Sequence, residues 1–139
     1  MKLTNQTMAL GLMASGAIPF MAAAALGFFG SGDVRGYQAD QIAVAYGAVI
    51  LSFLGGIRWG DAIAKGPAAT LFLSVLPSLA GFLALLINNF NGAIVLGIGF
   101  IAQAVWDYIA PGALPQWFIQ LRMAISTIVV VCLAITVLN

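Results

Sequence analysis

Arg58, Trp59, Asp61 and Lys65 close an otherwise apolar stretch, YGAVILSFLGGIRWGDAIAK, at 46–65. Three of the chain's nine acidic and basic side chains thus fall within eight positions. Guanidinium and carboxylate groups in such a setting can bind an anion or pin one helix to another. Each charge costs about 2.5–3.5 kcal/mol at the centre of a membrane helix, so Arg58 and Asp61 need partners, water or headgroups. On an ideal helix Gly47, Leu51, Leu54, Arg58, Asp61 and Lys65 share one face. A second stripe, Ala48, Ser52, Gly56 and Gly60, is small at every fourth position and suits close helix–helix packing.

Asp107 and Arg122 are the other charges that chain topology brings to this depth. The bland arrangement is a network of two arginines and two aspartates that fixes helix register, with Arg58 and Asp61 also close within their own helix. The sharper one is a water-filled vestibule for an anionic headgroup, cofactor or small anion, with Arg58 and Arg122 as donors. Two carboxylates, Asp61 and Asp107, raise a third chemistry, since a pair sharing one proton can activate water. The glycine-x-glycine-aspartate signature of intramembrane aspartyl proteases is absent, because Arg58 and Trp59 precede Gly60.

Composition narrows the field further. Only 6% of the 139 residues are charged and 63% are hydrophobic, against about a quarter charged in a soluble domain. The bilayer must therefore serve as solvent for most of the chain. A net charge of +1 leaves no footprint for nucleic acid. The chain has no His, no Glu and one Cys, so His-based zinc sites, Ser-His and Cys-His nucleophiles and a disulfide framework are all excluded. No metal or cofactor is implied. Cys132, within VVVCLAI, reads as a small apolar residue.

Five spans are predicted to position the charges, at about 8–29, 41–65, 68–87, 93–108 and 117–138, giving one all-α transmembrane domain. The first resembles a signal peptide in outline and is read as a retained membrane helix, kinked at Pro19, with Ser15 to satisfy the freed backbone. Gly66-Pro67 ends the second. In the third, Thr70, Ser74, Ser78, Gly81 and Asn88 share one face suited to helix contact. The run Asn88-Asn89-Phe90-Asn91-Gly92 reads as a polar turn, and the fourth span carries Gln103 one turn before Asp107.

With five spans, Lys2, Arg58, Lys65 and Arg122 share one side and Arg35 stands alone on the other. Positive-inside bias then puts the N-terminus in the cytoplasm and the C-terminus outside. The lack of a long N-terminal presequence points to a bacterial inner membrane.

The block Ile50-Leu51-Ser52-Phe53-Leu54-Gly55-Gly56-Ile57-Arg58-Trp59-Gly60, preceded by Tyr46, resembles the signature of the membrane family of unknown function that contains transmembrane protein 69. Pro19-Phe20, Pro77-Ser78-Leu79 and Trp117 with Leu121-Arg122 are similar to its other recurring positions. The resemblance covers essentially the whole chain and implies an integral membrane protein with no established activity. Two functions fit. One is a non-enzymatic accessory or assembly component of a membrane complex, associating with other subunits or with itself. The other is a small carrier or binding protein whose site is Arg58, Trp59, Asp61, Asp107 and Arg122.

Overall fold

The computed structural model describes residues 5–30, 33–34, 37–112 and 114–138. Lys2 and Arg35, used above to argue orientation, lie outside them. The elements in order are α1 (Asn5–Gly16), α2 (Ile18–Phe29), β1 (Asp33–Val34), β2 (Tyr37–Gln38), α3 (Ala39–Lys65), α4 (Ala68–Leu86), α5 (Asn89–Ile109) and α6 (Gln116–Leu138). β1 and β2 form one two-residue antiparallel pair, so the fold is all-α. Among the described residues five spans, with α1 and α2 counted as one, are long and apolar enough to cross a membrane.

The first span is broken, not merely kinked. Pro19 lies in the first turn of α2, where its missing N–H costs nothing. Ser15 donates to the Gly11 carbonyl at 2.7 Å, inside α1, and so does not serve the break as expected. The Tyr46 hydroxyl of α3 donates to the Gly16 carbonyl at 3.0 Å and ties the break to the bundle. α1 itself buries no residue.

α3 has Asp40 in its first turn and Lys65 in its last, both favourable to the helix dipole, and Gly66 closes it by donating to the Ala62 carbonyl at 2.7 Å. The fourth span is longer than the sequence suggested. Asn88 is the N-cap of α5, its side chain accepting from the Asn91 N–H at 2.9 Å, so the polar run at 88–92 is a capped first turn.

α3 occupies the centre and packs against α2, α4, α5 and α6. The core gathers Phe20, Leu51, Leu96, Phe100, Val129 and Leu133, with the Phe20 and Phe100 rings edge to face at 6.1 Å. Small residues set the closest approach. A Cβ on Gly55 would stand 2.6 Å from the Ser74 carbonyl of α4, and one on Gly81 would stand 2.9 Å from the Ala48 carbonyl of α3. Ser74 and Gly81, from the predicted α4 stripe, are buried there.

The α3 stripe divides instead of acting as a unit. Ala48 is buried and Ser52 lies beside Gly81, whereas Gly56 and Gly60 face outward with nothing within 4 Å of a Cβ built on them. The expected packing role therefore stops at Ser52 within this chain. One position, from Gly56 to Gly55, turns the helix by about 100° and decides which glycine meets α4.

Candidate functional site

Arg58, Asp107 and Arg122 come together from three helices at one end of the bundle. All three are buried, at 3%, 0% and 2% exposure. Asp107 sits two residues before the end of α5, where the helix dipole disfavours a carboxylate. Arg122 offsets this with an Nη2–Oδ2 contact of 2.7 Å, and Arg58 stands farther off, with Nε 3.7 Å from Oδ1. Gln103, one turn back on α5, donates from Nε2 to Oδ1 at 3.4 Å.

The two arginines are not equivalent. Arg58 donates from Nη1 to the Pro111 carbonyl at 3.2 Å and from Nη2 to the Ala110 carbonyl. Those carbonyls follow the last turn of α5, so Arg58 reaches from α3 to serve as a side-chain cap with charge complementary to the dipole. Its guanidinium carbon also lies 4.4 Å from the Trp106 ring centroid, a cation–π contact. Arg122 pairs with Asp107 and has a loose Phe118 ring at 5.7 Å. Its Nη1 has no hydrogen-bond acceptor among the described residues, nor does Nη2 beyond the ion pair. Two guanidiniums against one carboxylate leave these three side chains with a net positive charge, set partly against the carbonyl end of α5.

Trp59 and Asp61, expected in the same constellation, stand apart. Trp59 is 43% exposed on the outside of α3. Asp61 is half-buried and faces the α5–α6 connection, where a Cβ on Gly112 would run into its carboxylate. Among the described residues it forms no ion pair with Arg58, whose side chain is engaged by α5. Gly112 takes φ +63°, the left-handed region that favours glycine.

Two cavities flank the cluster. One, about 530 Å³, lies between the α3–α4 and α5–α6 connections and is lined by Arg58, Asp61, Lys65, Thr70, Trp106 and Gly112. The other, about 270 Å³, lies under α1 and is apolar except for Arg122 and Ser126. Trp106 and the Ala110 and Pro111 carbonyls were not predicted as partners. Backbone carbonyls carry no residue signature, although the Pro111 break marked where α5 had to leave some free.

The family described as a protein of unknown function, DUF3429, matches residues 4–138. Transmembrane protein 69 of Xenopus tropicalis is 38% identical over 141 residues, covering 94% of this chain and 54% of that protein. Transmembrane protein 69 of Mus musculus is 32% identical over 139 residues, covering 94% and 55%. The chain spans about half the length of the curated relatives it matches. No solved structure matches it. The chain is thus a multi-pass membrane protein and belongs to this family of unknown function, to which transmembrane protein 69 is similar along nearly all of the chain.

Proposed function

We propose that the chain is a non-enzymatic intramembrane binding protein for an anionic group, held at the Arg58–Asp107–Arg122 cluster with Arg122 as the donor. The single observation behind this is the charge imbalance, focused on Arg122, whose Nη1 lacks an acceptor among the described residues. A buried guanidinium left short of acceptors costs several kcal/mol, and a bound carboxylate or phosphate oxygen supplies both charge and acceptors. Arg58 belongs to the scaffold in this scheme, because its Nη1 and Nη2 already serve the carbonyls that end α5, with Nε alone lacking a hydrogen-bond partner among the described residues. The absence of His and Glu favours binding over acid–base chemistry.

The cluster end faces the cytoplasm of a bacterial inner membrane in this proposal, by the positive-inside argument. The test is ligand retention: purified wild-type protein carries an acidic molecule, and Arg122→Leu does not.

One observation supports an accessory role beside this. Gly56 and Gly60 present an open four-residue spacing on the outer face of α3, which accepts another transmembrane helix closely. Gly56→Leu is expected to abolish association with a partner subunit or second copy in a detergent pull-down while leaving the monomer folded. Recovery of the bare chain alone from wild-type extracts would sink this role.

A further inference from the structure

We infer that the anionic group is the head of an acidic lipid whose chain occupies the apolar cavity under α1. This rests on the binding role proposed above and adds the ligand's chemical class and its route of entry. The cavity, about 270 Å³, lies just below the usual range of ligand pockets, about 300–1,000 Å³, which suits a slim chain. It runs from Phe118 and Arg122 past Ile125 and Ser126 to Val129 on α6. The seven steps from Arg122 to Val129 correspond to a rise of about 10 Å. On α3 the wall descends in parallel from Ile57 through Leu54 to Ile50.

The polar group therefore lies at the end of the cavity nearest the cluster, and the apolar wall leads toward the middle of the bundle. A lipid of the same leaflet has this polarity of head and tail. The head supplies one negative charge, so two arginines meet two anions and the imbalance disappears. Arg122 is 2% exposed and lines this cavity, and beyond the Asp107 ion pair its two terminal nitrogens lack a hydrogen-bond acceptor among the described residues. Entry from the bilayer is the natural path, because α1 covers the cavity while burying none of its own residues.

The inference is tested by photolabelling the full chain in neutral phosphatidylcholine nanodiscs. The probes are a long-chain fatty acid with a diazirine in its chain, the matching alcohol, and a short-chain diazirine acid. The long-chain acid should label residues lining the cavity on α3 and α6 saturably. The alcohol should label about tenfold less, the loss expected for a charged hydrogen bond. Ala9→Trp, on the loosely packed α1, should block the long-chain acid and spare the short one, and unchanged helicity confirms that it folds. If the short acid labels beside Arg122 as strongly as the long one, and Ala9→Trp changes neither, the lipid assignment falls while anion binding stands. Equal labelling by alcohol and acid also overturns it. Absence of saturable labelling by both acids overturns the binding role as well.

Discussion

At the scale of single residues, the cluster divides labour between two arginines that look alike in the sequence. Arg58 caps α5, while Arg122 retains donors without acceptors. Arg58→Leu should destabilise the protein by about 2 kcal/mol through loss of the cap and the dipole pairing, read from unfolding in mild detergent. Asp107→Leu should cost more, about 3–5 kcal/mol, because it strands two buried guanidiniums. Arg122→Leu should cost the least, since Asp107 still faces Arg58 and no charge is left unpaired. A ranking with Arg122→Leu the most damaging would contradict this division. The depth of Arg58, Asp107 and Arg122 was legible from span counting. Their pairing was not, because it depends on the rotation of three helices about their axes. Asp61 shares a helical face with Arg58, yet α5 supplied closer and more numerous acceptors.

At the scale of elements, the α3–α4 contact depends on a glycine adjacent to the expected one. Gly55→Ala should destabilise by about 1–3 kcal/mol, since its Cβ meets the Ser74 carbonyl and cannot displace backbone cheaply. Gly56→Ala should be close to neutral in the monomer, with open space around its Cβ. Thermal unfolding of the pair checks both, and equal costs would contradict the packing. Helix existence was readable from apolar run length, and Gly66-Pro67 marked an end correctly. The start of α5 was missed because Asn is at home in both turns and caps. Which of two adjacent glycines faces inward is a matter of about 100°, beyond what a small-residue pattern can resolve.

At the scale of the whole molecule, α3 is the hub on which the other spans lean, and its charged end is also the end that holds the Arg58–Asp107–Arg122 cluster. The number of spans and the all-α class followed from composition and hydropathy, because a bilayer permits few architectures. The cavity under α1 did not, since Pro19 marks the break but no local pattern encodes how loosely α1 then packs. Orientation makes a separate prediction. On a Cys132→Ser background, Lys65→Cys should react with an impermeant thiol reagent only from the cytoplasmic side, and Gln38→Cys only from the other. The reverse pattern would invert the topology.

The central claim is that Arg122 holds an anion inside the bundle. Native mass spectrometry of wild type and Arg122→Leu, purified in the same neutral detergent, tests it most directly. The expected result is a retained acidic molecule on the wild type and a bare, folded Arg122→Leu protein. A bare wild type, or the same adduct on both proteins, would contradict it.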